Sequence, residues 1–165
     1  MKWLRRLLGD DLPDGFTGSL DPNEHVLAQA DGVVATNRGL WLPEGDGYRH
    51  VAWHFVTKAT WGDGKLTVVW AQQTQTAGKA VLIADLPPRT FELTQPGKLP
   101  AVVHKRVEGS ITSRYRKELP DGGGVWFVQR KTPDGPVLQA RPDPGTDVDV
   151  VAAIAREAAD KLVGR

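Results

Sequence analysis

Arginine side chains alternate with an aromatic residue between positions 110 and 141, and this combination suits an anionic partner. Written as strands, segments 110–119 and 125–131 place Arg114, Arg116, Trp126 and Arg130 on one face, and Arg141 joins them from a third strand. Such a face can hold phosphates while a base stacks, or it can bind an acidic protein surface. We predict a partner-binding face from these five residues. An unidentified, acidic protein is the favoured partner, because an isoelectric point near 8.0 disfavours nucleic acid.

The same alternation assigns the opposite face of these strands to the core. That face carries apolar side chains, namely Ile111, Tyr115, Leu119, Val125 and Phe127. An alternative stays open, in which Trp126 and Val128 pack beneath a helix. The arginines would then lie at the border of this packed patch, with their aliphatic stems on apolar surface and their charged groups in water.

Other residue types that commonly perform chemistry lack the necessary spacing. His50 and His54 would meet one metal on a helix, but lie too far apart along a strand. No serine lies in a Gly-x-Ser-x-Gly elbow, and the glycine clusters lack the spacing of a phosphate loop. We therefore predict a non-enzymatic binding or scaffold module with no catalytic residue, metal or cofactor. An enzyme of unknown type is the alternative.

The composition is that of an ordinary globular protein of one-domain length. The 165 residues are 40% hydrophobic and 25% charged, and there is no cysteine. The absence of cysteine excludes disulfides and thiolate metal sites. The N-terminal apolar run is too broken by arginine for a signal peptide, so we predict a cytoplasmic protein.

The N-terminal residues 1–8 (MKWLRRLL) have helical spacing, with an apolar stripe opposite a basic one. Trp3, Arg5 and Arg6 make this segment a membrane-surface candidate, since short basic amphipathic helices bind anionic lipid. Peripheral membrane association is thus an alternative function. Docking of the stripe on the parent domain or on a partner subunit stays open, and residues 1–23 are predicted to be this helix and a linker.

Residues 24–108 are predicted to form most of a β-rich domain. The expected strands are 24–30, 33–42 (with a kink near 37–39), 48–55, 56–61, 65–71, 80–84 and 89–94. Four tryptophans between residues 32 and 71 are predicted to belong to the core, and residues 72–78 to a polar loop. A helix follows near Pro100, with Leu99, Val102, Val103 and Val107 as its apolar residues.

Residues 109–165 are predicted to be a three-stranded β-meander and a C-terminal helix that share one continuous core with residues 24–108. The helix is expected from about residue 147 to 163, with Thr146 and Asp149 as a capping box. Its buried stripe is predicted to be Val148, Val151, Ala155, Ala158 and Leu162. The fold class is therefore α+β with mostly antiparallel strands.

Three short motifs between residues 33 and 68 resemble the core pattern of bacterial pleckstrin-homology-like domains. They are 33–40 (VVATNRGL), 51–53 (VAW) and 66–68 (LTV). The resemblance implies a seven-stranded, partly open barrel followed by one helix, and binding of lipid headgroups, peptides or proteins. Its lipid-binding members carry basic residues in the first hairpin loop, where this chain has Asp31, so the resemblance favours protein–protein interaction. The whole chain also resembles uncharacterised actinobacterial proteins of similar length.

Overall fold

The computed structural model describes residues 12–163 and shows an α+β fold with mostly antiparallel strands. The described chain forms two compact units. The first takes residues 12–70 with Pro87–Glu108, and the second takes Ala71–Leu86 with residues 109–163. The boundary predicted after residue 108 coincides with one of the points at which the chain passes from the first unit to the second. Residues 71–86 also belong to the second unit, although they lie within the predicted domain of residues 24–108.

Eleven strands and two helices make up these residues. The strands are β1 (Val26–Ala30), β2 (Val33–Thr36), β3 (Gly39–Glu44), β4 (Gly47–Ala52), β5 (Val56–Gly62), β6 (Lys65–Ala77), β7 (Ala80–Asp85), β8 (Arg89–Glu92), β9 (Ile111–Glu118), β10 (Gly124–Thr132) and β11 (Gly135–Pro142). The helices are α1 (Leu99–Ser110) and α2 (Val148–Val163), and a 3-10 turn occupies Trp53–Phe55.

The first unit begins with a four-stranded antiparallel meander in the order β1-β2-β3-β4. Asp31 and Gly32 form the turn between β1 and β2, with φ angles of 49° and 89°. Two successive left-handed residues fit the right-handed twist of the strands that they join. All four residues of β2 are buried, so this short apolar strand lies at the centre of the meander.

The β2–β3 turn depends on the hydroxyl group of Thr36. Its Oγ1 accepts hydrogen bonds from the amides of Arg38, at 3.0 Å, and Gly39, at 3.2 Å. Because one side chain satisfies both turn amides, the chain reverses here. The prediction of a single kinked strand over 33–42 is therefore wrong, and the segment divides into β2 and β3.

The first unit is completed by a β5–β6 hairpin, by β8 and by α1. Asp63 and Gly64 form the hairpin turn, again with two positive φ angles, and β8 pairs with the first part of β6. The predicted helix after residue 98 is confirmed. It buries Leu99, Val103 and Val107, whose spacing of four places them on one face.

The second unit is a sheet covered by α2. The second part of β6 is followed by β7, β11, β10 and β9, and every pairing is antiparallel except that between β7 and β11. The core is a cluster of small and apolar residues: Ala77, Ala80, Leu82, Val125, Phe127, Leu138, Ala140, Val151, Ala155 and Ala159. Three of these belong to α2, and their small size lets the helix approach the sheet closely.

The predicted loop over 72–78 is wrong, because β6 continues to Ala77 and pairs with β7. Thr74 is the extra residue at a register shift in this pairing, and its Oγ1 donates to the carbonyl of Leu82 at 3.2 Å. Polar residues in this segment suggested a loop. However, a strand with solvent-exposed side chains needs only main-chain partners, and β7 supplies them.

The predicted buried stripe of α2 is partly wrong. Val151 and Ala155 are buried, but Val148 is 44% and Leu162 is 37% exposed, and Ala159 is buried in their place. The predicted capping box is wrong as well. Asp147 caps the helix, since its Oδ1 accepts hydrogen bonds from the amides two and three residues later, at 3.0 and 3.4 Å.

Candidate functional site

The sheet of the second unit brings three of the five predicted partner-binding residues side by side. Arg116 on β9 pairs with Trp126 on β10, which pairs with Arg141 on β11. Directly opposite residues of an antiparallel pair share one face, so these three side chains form a row. Arg114 lies two residues before Arg116 on β9 and is exposed.

Carboxylates of the same unit already neutralise Arg116. Its Nη1 donates to Asp143 Oδ1 at 3.1 Å and its Nε to Glu118 Oε1 at 2.7 Å. These hydrogen bonds raise the pKa of Arg116, and the bond from Arg116 lowers the pKa of Asp143. The guanidinium also lies over the Trp126 ring, 5.8 Å from its centroid. An acidic partner at Arg116 would have to displace two carboxylates.

Arg141 and Arg130 are also poorly placed to receive an anionic group. Arg141 Nη1 donates to Asp85 Oδ2 at 3.0 Å, so this cation has its own carboxylate partner. Arg130 is only 2% exposed and does not reach the surface. The structure therefore places the five predicted residues on neighbouring strands but engages or buries several of their charges. Their role in binding a partner stays a prediction.

The alternative in which Trp126 and Val128 pack beneath a helix does not describe α2. This helix packs on the opposite face of the sheet, where Val125 and Phe127 are buried with Val151. Trp126 and Val128 are only partly buried. The alternation of β10 thus follows the prediction, which assigned Val125 and Phe127 to the core.

Tyr115 departs from that assignment and helps to form a groove between β9 and α2, of about 390 Å³. The lining residues come from the outer strand, the helix and the sheet beneath them: Ser113, Tyr115, Lys117, Phe127, Leu138, Ile154, Glu157, Ala158, Lys161 and Leu162. Tyr115 is 46% exposed, and its ring stacks on Phe127 with centroids 5.1 Å apart. We call these residues the β9–α2 groove.

The groove exists because α2 is too narrow to cover the whole sheet. A helix is about 10–12 Å across, whereas neighbouring strands are about 4.8 Å apart, so one helix covers roughly two or three strands. The contacts of α2 are chiefly with β7 and β11, which leaves β9 at the rim. The prediction that Tyr115 belongs to the core is therefore wrong. Tyrosine has a hydroxyl group that favours contact with water, whereas an aliphatic side chain has none. The residue type at position 115 therefore indicated a half-exposed position.

The charged side chains of the groove give it a small positive excess. Lys117 and Lys161 are opposed by Glu157, whose Oε1 lies 3.5 Å from Lys161 Nζ. Both members of this pair are 73% exposed, so their attraction is strongly screened by water. Strand β9 itself carries three basic residues and one acidic residue. The groove therefore combines an apolar interior with a cationic rim.

The first unit has a separate groove around Trp61, of about 520 Å³. Trp61 is 43% exposed, and Pro96, Pro100 and His104 line the same space. The prediction that all four tryptophans of residues 32–71 belong to the core is thus wrong for Trp61. Position 61 lies at the end of an edge strand, beside the Asp-Gly turn, where the sheet gives a side chain little cover.

Within residues 12–163, no group of three histidine, cysteine or acidic residues is placed to hold a metal ion. No helix of that same range is long and apolar enough to cross a membrane. His50 lies on β4 against Trp41, and His54 lies in the 3-10 turn. The membrane-surface candidates Trp3, Arg5 and Arg6 lie outside the described residues.

Comparison with known proteins returned no matching family model, no matching curated protein and no matching solved structure. The resemblance to pleckstrin-homology-like domains therefore stays a prediction.

Proposed function

We propose that this chain is a non-enzymatic protein-binding module, and that its second unit binds an acidic protein partner in the β9–α2 groove. One observation carries the proposal. Tyr115 and Leu162, two large apolar side chains, are left 46% and 37% exposed on the two sides of one groove. Contiguous exposed apolar surface with a polar rim is typical of interaction sites.

The lysines of the rim support the choice of an acidic partner. Lys117 and Lys161 stand beside the apolar lining, where they can steer an acidic segment and fix its position. The groove is open to solvent, whereas enzyme pockets are usually enclosed and lined by convergent polar groups. This shape supports binding rather than catalysis.

We also propose that residues 24–108 form a pleckstrin-homology-like fold and that the protein acts in the cytoplasm. The order of eight strands followed by α1 supports the first of these proposals. The count exceeds the expected seven by one because segment 33–42 divides into two strands. The first hairpin loop supports protein rather than lipid as the partner, since Asp31 there carries the wrong charge for a phosphate.

A selection from a phage library of random peptides tests the proposed function. With the full chain immobilised, we expect enriched peptides that combine acidic and apolar residues. Their affinity should fall at least tenfold when Tyr115→Ala and Leu162→Ala are combined, because the two side chains that contact the peptide are lost. Trp61→Ala, in the other groove, should leave the affinity within twofold.

A further variant distinguishes binding at the groove from binding at the row of Arg116, Trp126 and Arg141, which we call the arginine row. Arg116→Gln removes a cation that Asp143 and Glu118 already neutralise, so binding at the groove should change less than twofold. A selection that enriches no peptide would contradict the proposal, as would peptides that bind the Tyr115/Leu162 double variant as well as the original chain. Equal loss with Arg116→Gln alone would move the site to the arginine row.

A further inference from the structure

We propose that the partner enters as an extended acidic segment, which pairs with β9 as an additional strand and directs alternate apolar side chains into the β9–α2 groove. This inference rests on the proposed function and specifies the chemistry of its ligand. It follows from three independent features of the second unit: the pairing of β9, the direction of its side chains and its charge.

Strand β9 is the outermost strand of its sheet in the described part of the chain. Among residues 12–163, β9 pairs with β10 on one side and with no strand on the other. Ser113 to Glu118 are in unbroken register with Gln129 to Gly124, and the register shifts before Ser113. Six consecutive residues thus form a regular edge, where alternate N–H and C=O groups point away from the sheet and can pair with another strand.

The side chains of β9 that face the groove are every second residue, namely Ser113, Tyr115 and Lys117. An added strand would lie about 4.8 Å outside β9 and would direct its own alternate side chains to the same face. There they would lie beside Tyr115 and approach Ile154 and Leu162 of α2. Main-chain pairing would supply affinity, and the apolar pocket would select alternate apolar residues.

Charge favours an acidic segment over a second copy of this chain. Glu118 and Asp143 already neutralise Arg116 of β9, so the cations that the groove offers are Lys117 and Lys161, opposed by Glu157. Pairing two copies of β9 edge to edge would bring the Lys117 side chains of both copies onto neighbouring strands, where like charges are destabilising. An acidic strand would instead meet Lys117 and Lys161 as counter-charges.

The probe is the synthetic peptide Ac-EVDLEVDI-NH2, which alternates acidic and apolar residues. A six-residue ladder buries less than the roughly 1,200 Å² of a standard interface, so we expect a Kd of about 10–100 μM by titration calorimetry. Tyr115→Ala and Lys117→Glu should each weaken binding at least tenfold. Trp61→Ala is the matched control and should change it less than twofold. Because Lys117 is exposed, Lys117→Glu should fold normally, so it still tests the proposal if Tyr115→Ala fails to fold.

Two N-methylated versions of the peptide distinguish strand pairing from simple contact with the groove. One is methylated at the acidic residues and the other at the apolar residues, so that each loses the N–H groups of one edge. Strand pairing predicts that only one version loses binding, by at least tenfold. It also predicts that the outward amides within Ser113–Glu118 exchange at least tenfold more slowly in the complex.

Binding of both methylated versions at full affinity would overturn the inference and leave the proposed function standing. Absence of binding at 1 mM peptide would also overturn it, while the library selection would still decide the proposed function. Sedimentation of the protein alone supplies a third outcome. A dimer that Tyr115→Ala disperses would assign the edge to a second copy and refute the acidic segment.

Discussion

Replacing Glu24 tests whether a buried carboxylate holds the first meander together. Its side chain is 2% exposed and lies two residues before the start of β1. Oε2 accepts hydrogen bonds from Thr36 Oγ1 at 2.6 Å and Trp41 Nε1 at 2.9 Å, and Oε1 accepts one from the amide of Asp21 at 3.1 Å. One side chain thus joins the linker, β2 and β3.

The expected loss is large relative to the stability of a typical domain. A hydrogen bond to a charged group contributes roughly 1.5–3 kcal/mol, and removing the acceptor leaves buried donors unsatisfied. Because the three contributions are not additive, we expect Glu24→Ala to lower the free energy of unfolding by about 3–5 kcal/mol, out of the roughly 5–15 kcal/mol of a typical domain. Glu24→Gln keeps the shape and one acceptor, and should lower it by about 1–3 kcal/mol.

The stabilisation should depend on pH in a defined direction. Burial by itself raises the pKa of Glu24, but the hydrogen bonds from Thr36, Trp41 and the Asp21 amide outweigh it and leave the pKa below 4.5. A carboxyl group with a lowered folded-state pKa stabilises the fold above its unfolded pKa and loses that contribution as the pH falls through its folded pKa. The difference between the original chain and Glu24→Gln should therefore shrink below about pH 4.5.

Urea unfolding at pH 7, 5, 4 and 3 measures these quantities. Glu92→Gln, an exposed carboxylate on β8, is the matched control and should change stability by less than about 0.5 kcal/mol. His50→Gln measures how much the imidazole contributes to the stability separately from the hydrogen bonds of Glu24, because its Nε2 lies 3.5 Å from Glu24 Oε2. Equal stability of Glu24→Gln and the original chain at pH 7 would refute the reasoning, and so would a difference that stays constant down to pH 3.

Two further substitutions test the local geometry by the same unfolding assay. Asp147→Ala removes the cap of α2 and should lower the free energy of unfolding by about 1 kcal/mol. The control Asp160→Ala, at an exposed position of the same helix, should leave it unchanged. Equal free energies of unfolding for the two variants would show that the cap does not stabilise the helix. Gly39→Ala should cost about 2 kcal/mol or more, because its Cβ would clash with the carbonyl oxygen of Val51. Gly109→Ala, whose Cβ meets nothing within 4 Å in α1, should be neutral or stabilising; a similar loss at both glycines would contradict this contrast.

Much of the fold is predictable from local patterns, and the exceptions have physical causes. The Asp31-Gly32 turn and the alternation of β10 follow from turn chemistry and side-chain period, which are local properties. The extension of β6 through residues 72–77 is not local. It depends on pairing with β7, and the residue types within the segment do not indicate that such a partner exists.

The candidate site was harder to predict because burial depends on what covers a strand. Alternation placed Tyr115 correctly on the α2 side of β9, yet it could not show that α2 leaves Tyr115 partly exposed. Charge alone likewise drew attention to Arg116 and Arg141. Their carboxylate partners, Asp143 and Asp85, lie 27 and 56 residues away in the chain and meet them only in the folded sheet.

The parallel pairing of β7 with β11 has a consequence for synthesis on the ribosome. Leu138 pairs with Ala80, so 138 − 80 = 58 residues separate the partners. At roughly 5–20 residues per second, β7 emerges about 3–12 s before the strand that completes its sheet. During that interval the growing chain presents an unpaired apolar edge, because the sheet of the second unit cannot be completed before β11 emerges. Synonymous codons that slow translation between residues 86 and 135 would lengthen this vulnerable period and increase aggregation of the nascent chain.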